Sequence, residues 1–319
     1  MLPSTQTVPN FFIVGAPKAG TTSLYHWLAA HPQVFMSPIK EPSYFSLEAR
    51  PENFVPEYQA NMRQQMSEVQ SALRCGLGQS LRHGVVGEWE DYLRLFTGAE
   101  GKIAVGEASV FYLWSKTAAQ HIAERTPHAR ILLILRDPSE RAFSQYLHYV
   151  SLGHIGTSFR QHILAGMNPG EELGIYQPFL EIGHYAEHLE RYFAAFPREQ
   201  IRIWLYEDTL SEPQTFRRQV MEFLNVDSGF APDVSKRHLE VLVPKMLGVT
   251  QAMRRKGLWG KLRDSTPASL RPLFRKIAYR HRRTVRLAPE DRKILIDYYK
   301  DDIHKLQHIL GRDLSAWLK

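Results

Sequence analysis

The hydrophobic residues of this chain fall into short runs that alternate with longer segments of helical character. Runs of the kind that form strands buried on both faces of a sheet occupy residues 11–14, 102–106, 130–135 and 201–205. Helices are predicted between and after them, at residues 22–30, 116–125, 179–196, 213–224 and 289–310. Strands that alternate with helices predict an α/β fold, in which helices flank a central, mostly parallel sheet in three layers.

A clear helix start follows residues 130–135, the clearest of the predicted strands. Asp137 can accept hydrogen bonds from the first N–H groups of a helix, and Pro138 suits the first helical position. Farther along, residues 228–289 read as irregular and basic. We therefore expect a single domain over residues 1–319, with residues 228–289 as an excursion from it.

The excess of positive over negative charge is concentrated in one part of that excursion. The net charge is +7, but residues 254–286 hold twelve Lys or Arg and one acid, a local balance of +11, so the rest of the chain carries −4. A solvated face is the first interpretation of such a segment, and binding to an anionic substrate or lipid surface is the second. Trp259 and Phe274 among the charges suit an interfacial element. Nucleic acid is the least favoured partner, because no recognised nucleic-acid module is present.

The rest of the composition bears on cellular setting and metal content. Cys75 is the single cysteine, which excludes an internal disulfide and a cysteine-based metal cluster. The N-terminus lacks the basic and apolar regions of a signal peptide. The sequence also contains no run of about 18 apolar residues, the length that spans a membrane. Histidines and carboxylates show no metal-ligand spacing. We expect a cytoplasmic protein that needs no metal.

The sharpest chemical signal is the turn between the first predicted strand and its helix. It reads Gly15-Ala16-Pro17-Lys18-Ala19-Gly20-Thr21-Thr22-Ser23. A turn of small residues ahead of a helix directs backbone N–H groups and the positive end of the helix dipole at an anion. Lys18 adds a positive charge, and the three hydroxyl residues after Gly20 add donors. The sequence therefore predicts a phosphate-type site at this turn.

A P-loop that binds ATP is the main alternative for the same turn. That pattern needs Gly, four residues, Gly, and then Lys and Ser or Thr. Gly15 and Gly20 have this spacing, but Thr21 stands where the lysine should be, and Lys18 lies inside the loop. Magnesium triphosphate would lose its main cation at the expected place, whereas a phosphosulfate needs no metal. The turn is therefore P-loop-like, and ATP is the less suitable ligand.

Residues 17–23 resemble the 5′-phosphosulfate loop of sulfotransferases that use 3′-phosphoadenosine-5′-phosphosulfate (PAPS), in the branch of heparan-sulfate-type and bacterial enzymes. The resemblance implies a P-loop-like fold in which this loop cradles the 5′-phosphate. It also implies that Lys18 is catalytic, because the lysine contacts the oxygen that bridges phosphate and sulfate. The donor contacts implied for the loop are Lys18, Ala19, Gly20, Thr21, Thr22 and Ser23.

A second motif of the same family follows the third predicted strand. Residues 135–146 resemble the 3′-phosphate motif, in which an Arg and a Ser eight residues later bind the 3′-phosphate of PAPS. Arg136 and Ser144 stand at these two positions. Arg136 also follows a strand, at the edge where ligands of open α/β sheets collect. Separate sites for a 5′ and a 3′ group distinguish PAPS from ATP.

The resemblance suggests two candidates for the base that removes the acceptor proton. Residues 40–45 are similar to the acidic and aromatic segment that carries the base in this branch, so Glu41 is the first candidate. The alternative is a structural glutamate that pairs with Lys40 or with a helix end. His184 is the second candidate, because a histidine has this role in other branches of the family.

Further contacts are implied less specifically. Residues 106–109 match the loop after the second strand, which makes Glu107 and Ser109 candidate acceptor contacts, whereas Ala108 replaces a lysine found in some glycan-modifying members. Tyr206 corresponds to an aromatic residue near the adenine. Basic residues near the 3′-phosphate are expected at Lys236, Arg237 and His238.

The resemblance therefore implies a sulfotransferase that moves a sulfuryl group from PAPS to a hydroxyl or an amine by in-line displacement, without a metal. A kinase-like P-loop enzyme is one alternative, and a non-catalytic protein that binds nucleotide or a membrane surface is another. The acceptor stays open among a glycan, a lipid, a natural product and a carrier-bound intermediate, because acceptor sites of such folds lie in variable loops.

Overall fold

The computed structural model describes residues 7–53, 56–75, 84–167, 179–230, 242–245, 279–281 and 285–319, with residues 248, 250, 252, 253, 256 and 258. Its contacts group the chain into two compact units: Met1–Arg136 with Tyr176–Ser235, and Asp137–Ile175 with Lys236–Lys319. The single domain expected over residues 1–319 stays a prediction.

The first unit is built on a five-stranded parallel sheet. Its strands are β1 (Phe11–Gly15), β2 (Val34–Met36), β3 (Ala104–Ala108), β4 (Arg130–Leu135) and β5 (Ile201–Leu205). They lie in the order β2-β3-β1-β4-β5, and each neighbouring pair is parallel. Every residue of β1 and β3 is buried, as in parallel sheets whose faces are covered by helices. This arrangement confirms the predicted α/β fold with a central parallel sheet flanked by helices.

The helices complete the α/β pattern. In the first unit they are α1 (Thr21–Ala29), α2 (Pro56–Cys75), α3 (Trp89–Arg94), α4 (Ala118–Arg125), α7 (Tyr185–Ala195), α8 (Tyr206–Ser211) and α9 (Pro213–Leu224). The second unit contains α5 (Pro138–Leu152), α6 (Phe159–Gly166) and α10 (Pro289–Leu310).

The strand order creates a crevice at one place in the sheet. The connection from β1 leads to β2 on one side, and the connection from β4 leads to β5 on the other side. Because β1 and β4 are neighbours, their carboxyl ends form the topological switch point at which open α/β sheets bind ligands. The turn after β1 and the residue after β4 therefore meet at the expected ligand edge.

The second unit is tied together by buried charges at the start of α5. The Asp137 carboxylate accepts from the N–H groups of Ser139 at 2.9 Å and Glu140 at 3.3 Å, so it caps α5 as predicted. Its other oxygen accepts from Arg292 on α10 at 2.7 Å. Two short strands, β6 (Leu242–Pro244) and β7 (Tyr279–His281), pair antiparallel in this unit.

Most predicted elements occur where the sequence indicated them. The strands at 130–135 and 201–205 and the helices at 213–224 and 289–310 have the predicted bounds. The strand expected at 102–106 begins and ends two residues later, at Ala104 and Ala108. The expectation of irregular chain over 228–289 was wrong for β6 and β7, since two three-residue strands far apart in the chain leave no local pattern to detect. The prediction also missed β2, α2 and α3.

Candidate active site

The predicted anion turn joins β1 to α1. Its start is held against β4 by a hydrogen bond from the Ala16 N–H to the Ile134 carbonyl at 2.7 Å. Lys18 and Gly20 have left-handed backbones, with φ of 64° and 91°. Gly20 is the N-cap of α1 and supplies no capping side chain. The Ser23 N–H bonds to the Gly20 carbonyl at 3.0 Å, so the N–H groups that the turn can offer to an anion are those ahead of Ser23, at the positive end of the helix.

Gly20 is needed for a second reason besides its backbone conformation. A Cβ at this position would lie 3.3 Å from two ring carbons of Tyr206, the first residue of α8. A side chain would therefore have to displace the tyrosine ring as well as adopt a disfavoured φ. The glycine thus brings the end of β5 against the turn after β1.

Arg136 lies at the same place. Its guanidinium Nη1 donates to the Lys18 carbonyl at 3.2 Å, and its Cζ lies 4.9 Å from the centroid of the Tyr206 ring. The Arg136 carbonyl accepts a hydrogen bond from the buried Tyr185 hydroxyl at 2.9 Å. The backbone and the side chain of the arginine are both fixed, on Tyr185, Tyr206 and the turn. Two of the predicted anion-binding groups therefore converge, although they are 118 residues apart.

The chemistry of this cluster fits a nucleotide with more than one anionic group. Lys18 and Arg136 supply two cations, and the start of α1 supplies backbone N–H groups and the partly exposed Thr22 hydroxyl. A planar ring and a guanidinium already stacked on it form a surface that an aromatic base can join. The sequence had named Tyr206 and Arg136, but it could not show that one stacks on the other. Tyr185 was missed, because a buried tyrosine on a helix carries no local signal of such a role.

His184 immediately precedes Tyr185 and is half-buried at the N-cap of α7. Both ring nitrogens of His188, one helical turn later, make hydrogen bonds within the protein. Nδ1 accepts from Arg191 at 2.7 Å, so Nε2 carries the proton and donates to the Glu181 carbonyl at 2.9 Å. Burial and the Arg191 charge lower the pKa of His188 to about 4. The role of His184 as a second candidate base stays a prediction.

Glu41 lies in a turn that runs along the carboxyl end of β3. Its N–H donates to the Ala108 carbonyl at 2.9 Å, and its Oε2 accepts from the Val110 N–H at 2.8 Å. The other carboxylate oxygen accepts from the ammonium of Lys40. The pairing foreseen as the structural alternative is therefore present, while 19% of the Glu41 side chain remains exposed. A charged carboxylate is thus held at the surface of the ligand edge, and its role as base stays a prediction.

Glu107 and Ser109 form a buried network directly behind that turn. Neither residue has exposed surface. The Glu107 carboxylate accepts from three hydroxyls, of Ser109 at 2.7 Å, Tyr112 at 2.7 Å and Tyr92 at 3.2 Å. Burial raises the pKa of Glu107 to about 7, and the three hydroxyl bonds oppose this rise. The complete burial of Glu107 and Ser109 favours a supporting role for both. The acceptor contacts expected for them stay predictions.

Aromatic rings enclose this network on the side of α3. Tyr44 stacks on Tyr92 with 4.9 Å between ring centroids, and Trp89 stacks on Tyr92 at 5.5 Å. A cavity of about 630 Å³ is lined by residues of α2, by residues 50–52 and by residues 85–88 and 91, with a mixture of charged and apolar side chains. Arg50 in its wall donates to the Tyr44 carbonyl at 3.3 Å. The cavity therefore adjoins the segment that follows Glu41.

Other predicted site residues lie in the second unit or outside the described residues. Ser144 lies buried on α5, in the second unit. Lys236, Arg237 and His238 lie outside the described residues, as do most of residues 254–286, including Trp259 and Phe274. The roles proposed for them stay predictions, as does the role of Tyr206 at the adenine.

The described part of the chain was expected to contain neither a membrane span nor a metal site. None of the described helices is both long and apolar enough to cross a membrane. Among the described residues, no group of three or more His, Cys, Asp or Glu could hold a metal ion. The cytoplasmic location and the metal-independent reaction stay predictions.

Comparison with known proteins agrees with this geometry. The sulfotransferase family matches residues 9–231, which include the turn, the Glu41 segment, Arg136 and Tyr206. A solved sulfotransferase from Alicyclobacillus acidocaldarius superposes with a TM-score of 0.70 and 29% identity, over 98% of this chain and 100% of that one.

Curated relatives extend the similarity to larger proteins. Carbohydrate sulfotransferase 15 of Rattus norvegicus is 26% identical over 361 residues, which cover 97% of this chain and 54% of the relative. Bifunctional heparan sulfate N-deacetylase/N-sulfotransferase 3 of Homo sapiens is 28% identical over 321 residues, which cover 98% of this chain and 31% of the relative. The chain thus spans about half, or less, of the length of these relatives.

Proposed function

This chain belongs to the sulfotransferase family, and from that premise we propose that it transfers a sulfuryl group from PAPS to an acceptor hydroxyl or amine. The observation that carries the proposal is the contact of Arg136 with the Lys18 carbonyl. It brings the candidate groups for a 5′-phosphosulfate and for a 3′-phosphate to one edge of the sheet. A donor with anionic groups at both positions suits that edge better than ATP does.

On the donor side, the turn after β1 binds the phosphosulfate. The N–H groups at the start of α1 and the hydroxyls of Thr21 and Thr22 stabilise the 5′-phosphate. Lys18 neutralises the charge that develops on the bridging oxygen as the bond from sulfur to that oxygen breaks. Arg136 holds the 3′-phosphate, and Tyr206 lies beside the adenine. Thr21 in place of a P-loop lysine fits a donor that reacts without magnesium.

On the acceptor side, Glu41 removes a proton. The acceptor oxygen or nitrogen forms a bond to sulfur, the bridging oxygen leaves with 3′-phosphoadenosine-5′-phosphate (PAP), and the acceptor proton passes to Glu41. The partly exposed carboxylate, fixed by the Val110 N–H and by Lys40, supports this role. A base that is already oriented spends less free energy on ordering in the transition state. His184 is the second candidate.

The acceptor we propose is a glycan. The names of the relatives refer to a carbohydrate and to heparan sulfate. The cavity whose wall includes Arg50, with charged and apolar side chains and a volume of about 630 Å³, has the size of a pocket for a small ligand. Its mixed lining suits a ring that carries several hydroxyls.

Calorimetry with nucleotides tests the donor without an acceptor. PAP should bind without magnesium and at least roughly tenfold more tightly than AMP, because the 3′-phosphate adds a charge-assisted contact of about 1.5–3 kcal/mol. Incubation with PAPS and a panel of desulfated glycans, followed by mass spectrometry, should then show a sulfated product. Equal affinity for PAP and AMP, or a strict need for magnesium, would overturn the proposed donor.

A further inference from the structure

The Glu107 carboxylate orients the hydroxyls that surround it. Ser109, Tyr112 and Tyr92 all direct their O–H bonds at its two oxygens. A hydroxyl has a single proton to donate, so the oxygen of each of these three hydroxyls keeps its lone pairs facing away from Glu107. The carboxylate thus determines in which direction Ser109 and Tyr112 can accept.

Those lone pairs support the segment that follows Glu41. The Ser109 hydroxyl oxygen accepts from the Ser43 N–H at 3.0 Å, and the Tyr112 hydroxyl oxygen accepts from the Phe45 N–H at 3.3 Å. Both contacts are buried. Two alternate residues of the segment are therefore bound to side chains whose orientation Glu107 controls.

The segment needs this support because its backbone is unfavourable. Glu41 and Ser43 have φ of 60° and 50°, in the left-handed region that residues other than glycine rarely adopt. Such conformations persist only where the surrounding contacts impose them. Here those contacts come from the end of β3 and the residues after it, through Ala108, Ser109 and Val110.

We propose that Glu107 is a positioning residue for the transfer reaction. By orienting the hydroxyls of Ser109 and Tyr112, it holds residues 41–45 in the conformation that presents the Glu41 carboxylate. This proposal rests on the proposed function, in which Glu41 is the base. Glu107 itself touches no substrate, since it has no exposed surface.

The protonation of Glu107 links this network to pH. Burial raises its pKa to about 7, and the negative charge of Glu41 adds to the rise. A protonated Glu107 becomes a donor to one of these hydroxyls, which must then direct its own O–H bond elsewhere. Where that hydroxyl belongs to Ser109 or Tyr112, its lone pairs are reoriented and its hydrogen bond to the segment weakens. The titratable groups that face Glu107 are Glu41, Tyr92, Tyr112 and Tyr192. The tyrosines stay neutral near pH 7, because burial raises the pKa of each well above its ordinary value.

Amide exchange of the whole chain tests the proposal without an acceptor. In Ser109→Ala, the Ser43 amide should exchange roughly 5- to 10-fold faster, the loss of one typical hydrogen bond. The carboxyl carbon resonance of Glu41 should shift in the same variant. PAP affinity should stay unchanged. In the native chain the exchange of the Ser43 or the Phe45 amide, corrected for intrinsic exchange, should increase as the pH falls through about 7, and in Glu107→Gln that step should be absent.

Ser115→Ala is the matched control. Ser115 is also fully buried and its hydroxyl donates to a carboxylate, that of Glu48, at 2.6 Å. This variant should leave the Ser43 amide and the Glu41 resonance unchanged. Unchanged Ser43 exchange in Ser109→Ala, or equal effects of the two variants, would overturn the positioning role.

The two proposals can fail separately. A chain that neither binds PAP nor transfers from PAPS would overturn the proposed function, whatever the amides report. If transfer occurs, Ser109→Ala should lower kcat about tenfold and leave the KM for PAPS unchanged, whereas Ser115→Ala should alter neither. Native kcat in a Ser109→Ala chain whose Ser43 amide is released would overturn the role of Glu107 in the reaction.

Discussion

Arg136 donates a hydrogen bond to the backbone carbonyl of Lys18 at 3.2 Å, so the residue after β4 is bound to the turn after β1. The bond spans the topological switch point of the sheet. The same guanidinium stacks on Tyr206, at the end of β5. One arginine therefore links the ends of three parallel strands, and this is the place where we expect the donor.

Arg136→Ala should remove most of the preference for PAP over AMP. The variant loses the cation for the 3′-phosphate, a contact of about 1.5–3 kcal/mol, so PAP affinity should fall by roughly 10- to 100-fold while AMP affinity changes little. Calorimetry with both nucleotides measures this. Arg198→Ala is the control, because Arg198 also donates to a backbone carbonyl and stacks on a ring, that of Phe193. If Arg136→Ala keeps the native preference for PAP over AMP, other residues bind the 3′-phosphate.

Lys18→Ala should lower turnover with every acceptor, because the lysine acts on the leaving oxygen and not on the acceptor. We expect a decrease in kcat of about 10²–10³-fold, the usual effect of removing one group that stabilises transition-state charge, with a smaller loss of PAP affinity. Lys102→Ala is the control, since Lys102 binds the Pro32 carbonyl ahead of β3, away from the ligand edge. A decrease confined to one acceptor would contradict the assignment of Lys18 to the donor.

Glu41→Gln should separate the base from the donor site. Turnover should fall about 10²–10⁴-fold, the usual contribution of a general base, while calorimetry shows nearly native PAP affinity. The control is Glu48→Gln. Glu48 lies seven residues after Glu41, and its carboxylate accepts hydrogen bonds from the Ser115 hydroxyl and the Lys116 N–H. Native turnover in Glu41→Gln would make Glu41 structural and His184 the next candidate. Loss of PAP binding would instead assign the segment to the donor pocket.

The buried carboxyl of Glu107 should make stability depend on pH. Its pKa rises from the ordinary value of 4.5 to about 7 on folding, mainly through burial. Between these values the folded chain keeps a proton that the unfolded chain has released, so the free energy of unfolding decreases as the pH rises. The difference between the native chain and Glu107→Gln should change by about 3 kcal/mol between pH 4.5 and pH 7. Urea unfolding of both at several pH values measures it, and parallel curves would contradict the raised pKa.

Residues 254–286 carry a prediction that depends on charge alone. If this segment meets an anionic surface, the chain should co-sediment with vesicles that contain phosphatidylserine, and added salt should weaken the binding steeply. Vesicles of phosphatidylcholine alone are the control. Binding that depends on neither lipid charge nor salt, or no binding at all, would favour the interpretation of this segment as a solvated face.

The sequence determined those elements whose signal is local. Strands β4 and β5 are apolar runs, and α9 and α10 begin at prolines, so their bounds could be predicted from neighbouring residues alone. The anion turn was equally visible, because small residues, a lysine and hydroxyls must stand side by side in the chain to form it. Strand β2 was missed because three residues are too short a pattern, and α2 because its residues are mostly polar.

The tertiary structure decided the features that depend on partners distant in the chain. The predicted second strand ended at residue 106, yet β3 continues to Ala108, because Glu107 and Ala108 pair with Phe12 and Ile13 of β1, far earlier in the chain. The stacking of Arg136 on Tyr206, and the support of residues 41–45 by Ser109 and Tyr112, likewise join residues about 65 or more positions apart. Hydrogen bonds and ring contacts act over a few ångströms of space, and only the folded sheet brings these residues within that reach.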